Sequence, residues 1–326
     1  MVVMDKNARP PYAQNWNFSL QHSLADRYLI EARYVGSKGT HLPRNIEANP
    51  AVFGPGATAG NAEARRIYSG CQPDGTGCQF SHIGMLSNIT NSTYHAGQLS
   101  VSRRYNSGLG FNASYWYSKT LDYLSAMNLG GAGSKPLSGE NDVAQNPFNL
   151  RAEHGPSLFD SRHRLVLSGG WEIRLARNTR GITKAILDGW QLNGIVSANS
   201  GTPFTVYDTT NVSLQAPHPP LSGYNGSRPD LVENPNAGPR PVEQWVSRDA
   251  FRRLNPATEA GKFGNAGRNI VRGPGFANID VSLLKTMPIT ERTRLQFRAE
   301  CFNVANHANF FVPVNDLNSA NFGRIT

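Results

Sequence analysis

Apolar and polar residues alternate with a period of two along four separate stretches of this chain. Within residues 12–22, Trp16, Phe18 and Leu20 alternate with Asn15, Asn17, Ser19 and Gln21, which predicts a strand with one apolar face. A short turn at Ala25-Asp26-Arg27 leads into residues 28–36, where Ile30, Ala32 and Tyr34 oppose Glu31 and Arg33, so the two segments read as a hairpin. Residues 37–93 are rich in Gly, Pro, Asn and Ala, show no sustained period and are expected to form a long loop. The same pattern then returns. Leu99, Val101 and Arg103 alternate with Gln98, Ser100 and Ser102, and Tyr105-Asn106-Ser107-Gly108 predicts a tight turn. In residues 109–119, Leu109, Phe111, Ala113, Tyr115 and Tyr117 share one face, opposite Gly110, Asn112, Ser114, Trp116 and Ser118.

A second long connection, residues 120–162, carries Gly130-Gly131-Ala132-Gly133. A third strand pair follows, with Leu165, Leu167, Gly169 and Trp171 on one member and Trp190, Leu192, Gly194, Val196 and Ala198 on the other. Residues 207–275 form a third excursion with Pro217, Pro219, Pro220, Pro229, Pro235, Pro239 and Pro241, and a short helix is expected near 242–253. The fourth pair is 278–285 and 293–303, joined through Met287-Pro288-Ile289-Thr290. Ile279, Val281 and Leu283 oppose Asn278, Asp280 and Ser282, while Leu295, Phe297, Ala299 and Cys301 oppose Arg294, Gln296, Arg298 and Glu300.

Connections thus alternate between short turns and excursions of about forty residues or more, with all the short turns at one end of an antiparallel meander. Compact soluble domains rarely carry three such loops. Transmembrane β-barrels of the outer-membrane type do so regularly, with short periplasmic turns, long extracellular loops and strands of roughly 9 to 11 residues whose outer face is apolar. Tyr and Trp near the strand ends suit an interfacial girdle. A soluble β-sandwich that binds carbohydrate through its loops is the alternative, since it gives the same alternation, but it does not account for the loop asymmetry.

Composition fits the barrel. The 326 residues are 39% hydrophobic and only 17% charged, against about 25% charged in ordinary soluble domains, with Gly 32 and Pro 21 marking many turns. Mean hydropathy is −0.43, and no apolar run of about 18 residues offers a transmembrane helix. That test is blind to strands that show lipid only every second residue. The first six residues, Met1-Val2-Val3-Met4-Asp5-Lys6, lack the apolar stretch of a signal peptide.

Lys and Arg number 32 against 23 Asp and Glu, a net charge of +9, and 25 of the cations are Arg. Arg65-Arg66, Arg103-Arg104 and Arg252-Arg253 are the densest points, without any nucleic-acid-binding signature, so no nucleic-acid partner is expected. The arginines are expected instead in a polar interior and in loops. Cys71 and Cys78 bracket Gln72-Pro73-Asp74-Gly75-Thr76-Gly77 and could close a disulfide contributing roughly 2.5 kcal/mol, or remain free in a loop. Cys301 stands alone, and no zinc-ligand spacing is present.

Several segments carry a more specific likeness. Gly267-Arg268-Asn269-Ile270-Val271-Arg272-Gly273-Pro274-Gly275-Phe276-Ala277-Asn278-Ile279-Asp280-Val281-Ser282-Leu283, then Leu295-Gln296-Phe297-Arg298-Ala299-Glu300-Cys301-Phe302-Asn303 and Asn306-His307-Ala308-Asn309-Phe310, resemble the C-terminal barrel region of TonB-dependent outer-membrane receptors of the Oar-like group. Gly36-Ser37-Lys38-Gly39-Thr40-His41-Leu42, Asp160-Ser161-Arg162-His163-Arg164, Gly189-Trp190-Gln191-Leu192-Asn193-Gly194 and Ser200-Gly201-Thr202-Pro203-Phe204 agree with it. The resemblance implies a bacterial outer-membrane importer of large, scarce nutrients, with a barrel of about 22 strands closed by an N-terminal plug that couples to TonB. Residues 1–326 are expected to be a single partial barrel domain in outer-membrane lipid, without the plug or the final aromatic strand, and so to reach TonB only through the missing plug.

No enzyme chemistry or cofactor is expected. Asp160, Ser161 and His163 include the residue types of a hydrolase triad, but near neighbours on an extended strand do not converge. Asn315, Asp316 and Asn318 lack the glycine and closing glutamate of a calcium loop, and His307 reads as a turn residue. The candidate lumen-facing contacts for an unknown nutrient are Trp116, Asp280, Arg294, Arg298 and Glu300, because aromatics stack on sugars and arginines pair with anionic ligands. Each of them serves equally as a member of an interior polar network.

Overall fold

The structure is a computed structural model that describes residues 1–25, 27–125, 144–173, 181–215, 227–290 and 292–326. Asp26 of the first turn, the Gly130-Gly131-Ala132-Gly133 run, and Pro217, Pro219 and Pro220 lie outside the described residues. Eight long strands form one antiparallel meander: β1 (Tyr12–Leu24), β2 (Tyr28–Glu47), β3 (Gly84–Asn106), β4 (Leu109–Asp122), β5 (His163–Ile173), β6 (Trp190–Asn199), β7 (Phe276–Pro288) and β8 (Arg294–Cys301). Val2–Met4 adds a short parallel pairing to β3 at Gly84, Met85 and Leu86.

Alternation decides the two faces. One register row runs Tyr28, Arg103, Phe111, Gly169, Gly194, Val281 and Cys301. Two residues along, the next runs Ile30, Val101, Ala113, Leu167, Val196 and Ile279. These rows form an apolar face that no second sheet covers among the described residues. Phe18 and Leu20 are 62% exposed, Leu99 51% and Phe297 56%. A β-sandwich would have buried this face, so that alternative is set aside.

The register also gives the tilt of the strands. The last pair of the β1–β2 hairpin, Leu24 with Tyr28, lies on the Val281 row, whereas the last pair of the β7–β8 hairpin, Pro288 with Arg294, lies seven residues beyond Val281. At about 3.3 Å per residue and 4.8 Å per strand, a stagger of about 23 Å over six strand spacings tilts the strands by about 39°. That lies within the 35–45° of a transmembrane barrel. With this tilt, the odd-numbered residues from Leu109 to Tyr117 cover about 21 Å along the normal, close to the apolar band of roughly 25 Å on such barrels.

All four short connections fall at one end of the sheet. At β3–β4, Ser107 (φ 54°) and Gly108 (φ 88°) both occupy the left-handed region, the backbone of a type I′ turn whose twist matches the hairpin. Residues 181–187, a helix of about two turns that periodicity does not reveal, lie between β5 and β6.

The opposite end holds the long connections, and here the strands outrun the sequence reading. β2 continues to Glu47 and β3 begins at Gly84, so the first excursion is 48–83 and not 37–93. A bulge between Gly39 and Leu42, with His41 at φ 57°, and a second irregularity between Leu42 and Pro43 put one extra residue into each strand, so the side-chain parity changes on both and alternation no longer reveals them. The helix expected near 242–253 is only a 3-10 turn, Arg248–Ala250, capped by Ser247 Oγ accepting from the Asp249 N–H.

The largest hydrophobic core lies outside the long strands, among these connections. Phe204, Val206, Val246, Ala250, Phe251, Ala266, Val271, Leu317 and Phe322 pack together, with two small ladders nearby, Pro203–Phe204 with Val271–Arg272 and Asp230–Leu231 with Phe251–Arg252. The C-terminal segment belongs to this unit, since Leu317 N–H donates to Tyr207 O (2.9 Å), Trp245 N–H to Gly323 O (2.7 Å) and Ile325 N–H to Val242 O (2.9 Å). In the 48–83 excursion the Sγ atoms of Cys71 and Cys78 lie 2.08 Å apart, at bonding distance.

Candidate functional site

The loop unit covers one face of the sheet at its loop end, and the covered face is the polar one. Along β4, Ser114, Ser118 and Asp122 are buried, while Tyr115, Tyr117 and Lys119, on the apolar side of the same strand, are exposed. Arginines clamp the unit in place. Glu153 is buried between two of them: Arg228 Nη1 and Nη2 each donate to its carboxylate at 3.0 Å, and Arg44 Nη2 lies 3.7 Å away. Gln145 donates its backbone N–H to Glu153 (3.2 Å) and accepts from Arg228 N–H through Oε1 (2.7 Å). Arg268 pairs with Asp122 at the end of β4 and donates to Glu153 O (2.8 Å), while Arg272 pairs with Asp160, which also accepts from Thr120 N–H (2.6 Å).

Asn269 sets the direction of this clamp. It sits buried in the left-handed region (φ 55°), a conformation asparagine tolerates, between Arg268 and Arg272. Its Oδ1 accepts from Thr205 Oγ1 (2.8 Å) and its Nδ2 donates to Pro156 O (2.9 Å). A parallel cluster ties down the first excursion: Glu47 holds His82 and lies 3.4 Å from Arg66, while Asn49 Nδ2 donates to Ser81 O (2.7 Å).

Electrostatics agree with the geometry. Burial works to raise the Glu153 pKa, but Arg228 and then Arg44 outweigh it and hold the carboxyl below its ordinary value. Since the native value is depressed, the stabilisation is complete above the ordinary glutamate value of 4.5 and is lost as pH falls below it towards the native value. Protease cleavage within the loop unit is therefore expected to rise as pH falls from about 4.5 to about 3, the lower part of the range where glutamates titrate, while sheet circular dichroism persists. Unchanged cleavage across that range would contradict the clamp. On the exposed rim Arg252 pulls Glu259 down to about 2.

All five sequence candidates project from the polar face, yet they do not form one site. Trp116 carries the Arg164 guanidinium 5.6 Å above its ring. Asp280 lies three strands away and four residues further along, about 20 Å, and accepts from Asn278 Nδ2 (2.8 Å) and Asn303 N–H (2.9 Å), so it braces the turn after β8. Arg298 and Glu300 pair at 3.6 Å beside it, both exposed, and Arg294 stands at the turn end opposite Pro288. The clamp residues Arg44, Glu153, Arg228, Arg268 and Arg272 escaped the sequence reading, although Arg268 and Arg272 lie in the 267–275 segment singled out by resemblance.

The remaining motifs resolve into structure. Asp160 turns inward to Arg272, while His163 Nδ1 meets Tyr115 OH (2.7 Å) on the apolar face, so no triad assembles. Asn318 donates to Asp208 (2.9 Å) and Thr209 (2.7 Å), with Arg253 reaching Asn318 as well. His307 N–H donates to Asn303 Oδ1 (3.0 Å) within a turn. Among the described residues no three His, Cys, Asp or Glu side chains gather as a metal site.

One apolar face, strands tilted like those of a barrel, short turns at one end and a polar face roofed by loops at the other define a transmembrane β-barrel sheet. The chain belongs to the outer membrane beta barrel domain family, which matches residues 1–326. Its apolar face is therefore the lipid-facing exterior in the bacterial outer membrane, and its polar face the interior. No curated protein matches the sequence. Similar solved structures include the outer membrane transporter YddB of Escherichia coli, at 12% identity and TM-score 0.42, over 92% of this chain and 29% of that one. FpvA of P. aeruginosa, in its complex with heterologous pyoverdine and iron, is similar at 12% identity and TM-score 0.38, over 98% of this chain and 26% of that one. FpvAI in complex with pyocin S2 is similar at 11% identity and TM-score 0.36, with the same coverage of 98% and 26%. The chain thus spans under a third of the length of these proteins.

Proposed function

We propose that residues 1–326 form a single partial barrel domain of a TonB-dependent outer-membrane receptor of the Oar-like group, a non-enzymatic importer of a large nutrient such as a siderophore or glycan. The observation that carries this reading is the folded loop unit clamped over the polar interior. A simple diffusion pore needs an open lumen, whereas a receptor needs a structured outer surface that recognises its cargo before passage. Trp116 with Arg164, and the Asp280, Arg298 and Glu300 group, are the interior contacts proposed for that cargo. Coupling to TonB would run through a plug domain, with outer-membrane lipid around the barrel.

The sheet edges support the partial character. Among the described residues β1 pairs only with β2, and β8 only with β7. Each unpaired backbone group in lipid costs several kcal/mol, so both edges call for further strands. Purified chain reconstituted alone in planar bilayers is therefore expected to show no steady conductance. A stable, discrete conductance from these residues alone would refute the partial barrel.

A further inference from the structure

Charges on the exterior face are all of one sign. Reading the register outward, that face carries Lys38, Arg103, Lys119 and Lys285, and no carboxylate at any outward position of the eight strands on the turn side of the bulge at His41. Among the carboxylates of the sheet, Glu31, Asp122, Glu172, Asp280 and Glu300 point inward, and Glu47, at the end of β2 beyond the bulge, is buried against His82 and Arg66. Arg103 and Lys285 lie near the turn end. Lys38 and Lys119 lie at the loop end, just past the apolar band that Tyr117 closes on β4.

These two lysines flank a histidine held in place. His95, on β3 between them, is in register with Lys119 and two pairs below the Lys38–Thr93 pair, the next outward position on that strand. Its ring packs between Trp16 and Tyr34, with centroids 6.1 and 6.2 Å away, and its Nδ1 bonds Tyr34 OH at 2.8 Å. With Nδ1 engaged, Nε2 is the nitrogen left to serve a second partner. Lys38, His95 and Lys119 are all exposed, directly above the aromatic belt of Trp16, Tyr34 and Tyr117. Carboxylates nearby would neutralise such a ledge, and the outward positions hold none.

We propose that Lys38, His95 and Lys119 form a binding site for the phosphate headgroup of an anionic glycolipid in the loop-side leaflet. The lysines supply point charge to the phosphate, His95 a directed N–H, and the aromatic belt beneath takes the start of the acyl chains. The site lies on the lipid-facing exterior, so it does not depend on the transport reading and would survive its failure.

Native mass spectrometry of the full chain, released from mixed micelles, tests the assignment with a diphosphorylated lipid A and its dephosphorylated counterpart as probes. The phosphorylated lipid should stay bound and its counterpart should not. K38Q/K119Q should weaken retention by about twenty-five-fold, from two lysines each worth about fivefold at an anionic surface, and K38R/K119R should restore it. H95Q alone should weaken it less. Equal retention of both lipids, or K38Q/K119Q binding like the unaltered chain while R103Q lowers retention, would overturn the assignment.

Discussion

Replacing Glu153 by Gln is expected to release the loop unit from the sheet and to lower stability by about 3–5 kcal/mol, the range for breaking a buried ion pair on one side. Glu153 is 2% exposed and is the carboxylate shared by Arg44, itself fully buried, and Arg228 at 5%. Glutamine keeps the shape and one acceptor oxygen but leaves two guanidinium charges facing a neutral amide in a poorly hydrated site. A loss of that size is a large fraction of the 5–15 kcal/mol that holds an ordinary domain together. Chemical unfolding should show the lower midpoint, and limited proteolysis should cut within residues 205–275 while the long strands stay protected. A triple replacement, R44M/E153L/R228M, removes charge and desolvation cost together and should recover most of the loss. If E153Q unfolds at the same denaturant concentration as the unaltered chain, the clamp is not what holds the roof.

The second large effect belongs to the exterior face. Ala113 sits midway along the apolar residues of β4, in register with Val101 and Leu167, and Ala113→Arg should cost about 2–4 kcal/mol in a bilayer. Asn112→Arg, one residue away, points into the polar interior beside Ser102 and Ser168 and should cost little. Moving the arginine outward to Tyr117 should reduce the penalty to about 0–1 kcal/mol, because near the interface the side chain reaches headgroups. Unfolding of each variant from lipid vesicles by urea reads the series. Equal costs at 112 and 113 would mean that the two faces are not lipid and lumen.

Of the fold, the strands that cross the apolar band were legible from alternation alone, and Leu109 to Tyr117 show why. Lipid outside and polar groups inside impose opposite demands on successive residues, so a local period of two reports a non-local environment. The segments 37–47 and 84–93 were not legible for the same reason. Above the band both faces meet polar surroundings, so the backbone can stay extended while the side chains lose their alternation. The short helix at 181–187 and the bulge at His41 left no periodic mark either.

Among the site residues, Trp116, Asp280, Arg294, Arg298 and Glu300 could be assigned to the polar face, because parity along a strand follows from covalent geometry. Their grouping could not be read, since it depends on which strands become neighbours. The clamp lay further out of reach: Arg44 at the end of β2, Glu153 in the connection after β4, and Arg228 and Arg268 in the connection before β7 are brought together from distant parts of the chain. Nothing local distinguishes an arginine that will be buried against a carboxylate from one that will stay in water, because the two differ only in what the remaining chain places beside them. Local pattern therefore determined the strands, their faces and the asymmetry of the connections, all of which follow from residues adjacent in the chain. Tertiary structure alone decided the register, the roof over the interior and the pairing of its charges, because desolvation and Coulomb energy depend on distance in space and not along the sequence.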